Sequence, residues 1–204
     1  MKERQYIAMG EKNSRSLPYI NIALVAVNVL VFLWTEWGGS SEDSIWMLQH
    51  GAMFAPLVIE KKEYYRLFTA VFLHFGVNHL ANNMLILCIM GEHLERALGK
   101  LKYVLFYVLC GVASNVVSMM IHLNQRSLTV SAGASGAIFG VIGGLFWAVI
   151  RNHGRLENLN SRQLAMVIVF ALYFGFTSTG VDNVAHISGL VIGFLLSMLL
   201  YRKK

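Results

Sequence analysis

Ser135 and His186 are the residues of this chain best suited to nucleophilic chemistry. A serine hydroxyl attacks a carbonyl only once a base takes its proton, and imidazole is the usual base. The attack creates an oxyanion, which needs donors already in place. His79 and Asn83 stand i and i+4, on one helix face, and offer an imidazole and an amide. The backbone N–H of Ser135, at an expected helix start, offers a third donor. Together these groups suit acyl transfer. Taken singly, each has a plainer reading. A serine in an apolar helix usually bonds its own backbone or a neighbouring helix, and lone histidines and asparagines often join helices. The catalytic reading therefore depends on elements that bring the four residues together.

Those elements are read from small residues and from depth. Gly136, Gly140 and Gly144 recur every four residues after Ser135, and Ala185, Gly189 and Gly193 do the same around His186. Glycine costs a helix about 1 kcal/mol per position relative to alanine. In a bilayer, two such faces offset that cost by close backbone packing. Ser135 lies 16 residues before Arg151, His186 lies 16 before Arg202, and His79 lies 17 before Arg96. At 1.5 Å per residue, all three stand about 24 Å from the charge that ends their helix. Gly133 flanks the serine. Phe139, four residues after Ser135, is expected to pack, and would stack on the imidazole if it faces His186. Asp182, four before His186, is placed in a loop rather than as an orienting carboxylate. His50, His74, His93, His122 and His153 fall at loops or membrane edges and receive no role.

The chain has 204 residues, 56% hydrophobic and 14% charged. Soluble domains carry about 25% charge. The charge here is confined to short segments between long apolar runs, the pattern of a polytopic membrane protein. Six expected spans cover residues 18–37, 67–91, 101–123, 135–150, 164–178 and 183–201. The fourth and fifth are short, which implies a recess at one membrane face. With the N-terminus inside, thirteen Lys/Arg fall on the cytoplasmic side and four (Lys61, Lys62, Arg66, Arg126) outside. That asymmetry assigns both termini to the cytoplasm. It also accounts for the net charge of +6 without nucleic acid. Residues 1–17 are expected to be a short cytoplasmic tail and 18–204 one membrane domain. The first apolar run lacks a cleavage site of signal-peptide type. Residues 38–63, rich in apolar and aromatic side chains, are expected to pack on the bundle. Cys88 and Cys110 lie in apolar runs and are read as core packing, not a disulfide or metal pair. No HExxH motif is present and no acid sits in a span centre, so no metal or other cofactor is expected.

The chain resembles the rhomboid family of intramembrane serine proteases over nearly its whole length. The matching motifs are Gly133-Ala-Ser-Gly136, His74-Phe-Gly-Val-Asn-His79-Leu-Ala-Asn-Asn83, Glu95-Arg96 with Gly99, and Ala185-His186-Ile-Ser-Gly189 with Gly193. The resemblance implies an all-α six-helix bundle of the basic bacterial form, in the bacterial cell membrane. It implies a Ser135–His186 dyad without a catalytic carboxylate, and an oxyanion hole from His79, Asn83 and the Ser135 backbone. The cavity would open to the extracytoplasmic side, and single-span membrane proteins would enter past the fifth span. Membrane lipids would be the other partners. Two positions depart from the family pattern. Tyr65-Arg66 replaces the common Trp-Arg, and Phe139 stands where many members have tyrosine; the stacking survives and the hydroxyl does not. Two other readings compete. One is a catalytically silent rhomboid-like protein that binds membrane helices. The other is a transporter using the histidines as a relay. Beyond the polar residues, however, their spans carry no charged side chain until Glu92, Arg151 and Arg202.

Overall fold

The computed structural model describes residues 17–178 and 180–203. The expected tail lies outside the described residues, apart from Leu17. Among the described residues the protein is an all-α membrane bundle built on six long helical rods. The first, α1, is Tyr19–Glu36. The second, α2, runs from Gly76–Ile86 through a π-helical stretch, Leu87–Gly91, into Glu92–Leu98. Then follow α3 (Lys100–Asn124), α4 (Ser135–Arg151), α5 (Ser161–Thr177) and α6 (Asn183–Leu200). By length and composition α1, α3 and α6 can cross a membrane, while α4 and α5 are shorter apolar helices. Seventeen residues reach about 26 Å, short of a hydrocarbon core of about 30 Å. The outward side chains are apolar: Leu33, Leu109, Phe170, Phe174, Val191 and Leu199 are all exposed. Such a surface suits lipid rather than water.

Five of the expected spans agree with these rods to within three residues at either end. The second does not. The apolar run from Leu67 forms a separate short helix, Arg66–Thr69, followed by turns and irregular chain. The rod itself begins at Gly76, with a φ of +76° that side chains disfavour. Ser41 Oγ accepts from the Gly76 N–H at 3.0 Å. Within residues 67–75 the apolar Ala70, Val71 and Leu73 are buried inside the protein, so this part of the run packs rather than forming the rod.

The segment 38–63 packs on the bundle as expected. It forms two short helices, Ser44–Gln49 and Ala55–Glu60, and buries Met47, Ala52, Met53 and Val58. Its strand β1 (Met53–Phe54) pairs antiparallel with β2 (Val130–Ser131), just before α4. Arg66 holds this layer down: Nη1 donates to the carbonyls of Leu48 at 2.7 Å and Ala52 at 3.0 Å. A second small hairpin, β3 (Arg155–Leu156) with β4 (Leu159–Asn160), joins α4 to α5.

At the other end of the rods the polar groups are closely paired. The Glu95 carboxylate accepts from the backbone N–H of Ile20 at 3.2 Å and Asn21 at 2.7 Å. It thereby satisfies the first turn of α1, whose N–H groups have no helical partner. Asn21 Nδ2 donates to the Leu87 carbonyl at 3.0 Å, where the π-helical stretch begins, and Tyr103 Oη donates to Asn21 Oδ1 at 2.6 Å. A methyl at Gly91 would collide with Asn21 Oδ1, so that position has no room for a side chain. The family motif around Glu95 thus has a structural account here.

Candidate active site

α4 and α6 approach so closely that side chains are excluded between them. A Cβ on Gly189 would strike the Gly136 carbonyl, and one on Gly193 the Gly140 carbonyl. The third α4 glycine in this seam is Gly143, whose Cβ would strike the Leu190 carbonyl. Gly144, expected there from the spacing of four, instead faces Phe106 of α3, with a Cβ separation of 2.7 Å. The helical repeat of 3.6 residues explains the correction: a face followed over two turns advances by seven, not eight. Gly136 and Gly140 are also pressed from the other side by Ser114 and Cys110 of α3. Cys110 is therefore core, whereas Cys88, expected in the core, is exposed on α2.

The seam sets the ends of α4 and α6 side by side. Ser135 is the first residue of α4 and half-buried, and among the described residues its Oγ makes no hydrogen bond. The Gly133 N–H before it donates to the Ala70 carbonyl at 2.9 Å. The point where a Gly133 Cβ would stand lies 3.0 Å from His79 Nε2 and 3.7 Å from Ser135 Oγ. The histidine and the hydroxyl border the same space, and Gly133, with φ +146°, leaves it open. Asn83 lies one turn on from His79. It is buried, and its Nδ2 has no partner among the described residues. His186, 8% exposed, stacks on Phe139 with centroids 4.3 Å apart and planes at 16°. Phe139 is one turn below Ser135, so the stack holds the imidazole beside the start of α4. The geometry supplies a hydroxyl, a second imidazole beside it from His79, and an imidazole on the neighbouring helix. Among the described residues no group of three His, Cys, Asp or Glu is placed to hold a metal ion.

Three further residues have places in the structure that the sequence leaves open. Asp182, expected in a loop and not as an orienting carboxylate, does not bond His186. It caps α6, accepting from the Ala185 N–H at 3.0 Å, and its other oxygen accepts from the hydroxyls of Ser118 and Ser131. The signal was available, since an aspartate just before an apolar helical run is a capping residue. His74, expected at a loop or membrane edge, lies just before α2 and is fully buried, its ring centroid 5.2 Å from that of His79. Its Nε2 accepts from the Ala134 N–H at 3.4 Å. Asn183, the first residue of α6, was given no role at all; its Nδ2 donates to the Gly175 carbonyl of α5 at 3.0 Å.

Comparison with known proteins adds a second line of observation. The family model described as the Rhomboid domain matches residues 61–203. The rhomboid protease GluP of Bacillus subtilis (strain 168) is 33% identical over 177 residues, which is 87% of this chain and 34% of that protein. RHOMBOID-like protein 1 of Arabidopsis thaliana is 33% identical over 155 residues, covering 76% of this chain and 39% of the relative. YdcA of the same Bacillus strain is 32% identical over 148 residues, covering 72% and 73%. The chain thus spans about a third of GluP and about two fifths of the plant relative.

Proposed function

This chain belongs to the rhomboid family, and from that premise we propose that it is an intramembrane serine endopeptidase whose nucleophile is Ser135 and whose base is His186. One observation carries the reading. The α4–α6 seam, closed to side chains at Gly143, Gly189 and Gly193, sets His186 against Phe139 one turn from Ser135. Residues that merely joined helices would bond one another across such a contact; here the buried Asn83 Nδ2 stays unpaired among the described residues. An unpaired buried donor costs about 1–3 kcal/mol, which is offset when an oxyanion forms before it.

The substrate is a single-span membrane protein entering from the lipid. A peptide bond within a helix is shielded, so the segment unwinds locally before it reacts, and glycine or proline in the substrate lowers that cost. His186 takes the Ser135 proton as Oγ bonds to the carbonyl carbon. The oxyanion is held by His79, the Asn83 amide and the Ser135 N–H. His186 then returns the proton to the amine nitrogen as the C–N bond breaks, leaving an acyl-enzyme. Water, deprotonated by His186 in turn, releases the carboxylate and restores the serine. In this reading the termini lie in the cytoplasm, as the Lys/Arg asymmetry supports, and the Ser135 end of the rods lies near the outer face of the cell membrane. The test is cleavage of a panel of single-span reporters by purified protein. Wild type cleaves at least one within or beside its span; Ser135→Ala and His186→Ala, equally folded, do not. Cleavage that persists in Ser135→Ala overturns the proposal.

A further inference from the structure

Two buried polar atoms at the start of α6 are unpaired among the described residues and are chemically complementary: His186 Nδ1 and Asn183 Oδ1. Asn183 and His186 are three apart on one helix and so share a face. Both atoms border one point. Where a methyl on Gly175 would stand, Asn183 Oδ1 is 2.5 Å away and His186 Nδ1 3.3 Å away. The orientation of the amide follows from its other end. Nδ2 donates to the Gly175 carbonyl at 3.0 Å, and a carbonyl only accepts. The amide oxygen is thereby left for a donor. An imidazole that takes a proton at Nε2 carries its own proton on Nδ1.

We propose that Asn183 is a positioning residue for His186. Its Oδ1 accepts from His186 Nδ1–H, directly or through one water, and so fixes the tautomer and ring angle in which Nε2 faces Ser135. The inference rests on the reading of Ser135 and His186 as nucleophile and base. Asp182, the nearby carboxylate, is already committed to the Ala185 N–H and to the hydroxyls of Ser118 and Ser131. The amide's second bond reaches α5, the long helix with the fewest buried residues, only Leu164 and Gly175. Displacing that end of α5 therefore loosens the base. The imidazole is aligned when α5 is seated, and its alignment reports where α5 lies.

The experiment uses full-length protein, one cleavable reporter and a fluorophosphonate probe for Ser135. Asn183→Ala lowers kcat by about 10- to 100-fold, on the scale of losing a correctly held base. It leaves KM within about twofold and slows labelling in parallel. Asn183→Asp, which keeps an acceptor, recovers most of the kcat and moves the acid limb of the pH–rate profile to higher pH, because a carboxylate stabilises the imidazolium. A merely structural amide would not move that limb. Gly175→Ala, whose methyl would press on both atoms, lowers kcat in the same direction and serves if Asn183→Ala does not fold. Wild-type kcat and labelling rate in the folded Asn183→Ala or Gly175→Ala protein overturn the proposal, as does an Asn183→Asp protein matching Asn183→Ala with an unmoved acid limb. An active wild type beside an indifferent Asn183→Ala defeats this inference alone; an inactive, unlabelled wild type defeats the protease reading and this inference with it.

Discussion

The two ends of the helical bundle treat their polar groups in opposite ways. At the end where α1 begins, Glu95, Asn21 and Tyr103 bond one another or backbone groups, and Arg96 and His93 both bond Glu157 across to the β3–β4 hairpin. At the end where α4 and α6 begin, buried atoms of His74, Asn83, His122, Asn183 and His186 have no hydrogen-bond partner among the described residues, though His122 Nε2 lies 3.6 Å from Asp182 Oδ2. Buried polar groups are nearly always paired, so a cluster of exceptions requires a cause. For Asn83 the cause proposed above is an oxyanion that forms during the reaction, and for Asn183 and His186 it is their alignment with one another. On the proposed function one end of the protein serves stability and the other chemistry, and substitutions at the two ends should separate these properties.

The largest effect should come from the seam on which the site end depends. Gly189→Ala drives a methyl into the Gly136 carbonyl, which is backbone and cannot swing aside. It should destabilise the protein by about 3 kcal/mol, the upper part of the range for overpacking, and abolish cleavage. Melting in detergent and a reporter assay would read both together. Asn83→Ala should split them. It removes a donor with no partner to lose, so melting should change little while cleavage falls by about 100-fold, as for loss of one oxyanion donor. Glu95→Ala at the opposite end should do the reverse. It strips the acceptor from the N–H groups of Ile20 and Asn21 and should cost about 2 kcal/mol of stability. Activity per folded molecule should be unchanged. A Glu95→Ala protein that melts normally but fails to cleave would break the comparison.

The smallest effect is one of pH. Burial pushes the Glu157 carboxyl up, but hydrogen bonds from Arg96 and His93 and their charges outweigh it and hold the group below its ordinary value. A lowered pKa in the folded state means the stabilisation is full above the unfolded value, about 4.3, and is lost as pH falls through the folded one. The melting difference between wild type and Glu157→Gln should therefore be present at neutral pH and vanish in acid.

Much of this division can be read in the sequence, and the parts that cannot share a physical reason. Apolar runs and Lys/Arg clusters mark the rods because a bilayer imposes both. The run at residues 67–75 misleads because burial beneath a loop and burial in lipid select the same residues. Ser135, His186, His79 and Asn83 stand out because polar groups are rare in apolar helices. Gly143 and Gly144 cannot be told apart by spacing alone, since the drift of a 3.6-residue helix decides which one faces α6. His74 and Asn183 gain a role only from the structure because they lie at helix ends, where a polar residue is unremarkable until its neighbours are known. Glu95 matches a family motif whose role becomes visible only once the start of α1 is seen beneath it.

The central claim is that Ser135 and His186 act as one unit. The most direct measurement is the rate at which a fluorophosphonate labels Ser135 in folded, purified protein. The account predicts labelling of wild type, none in Ser135→Ala, and a drop of at least about 100-fold in His186→Ala, as expected when a nucleophile loses its base. Labelling of His186→Ala at the wild-type rate, or of Ser135→Ala at all, would contradict it.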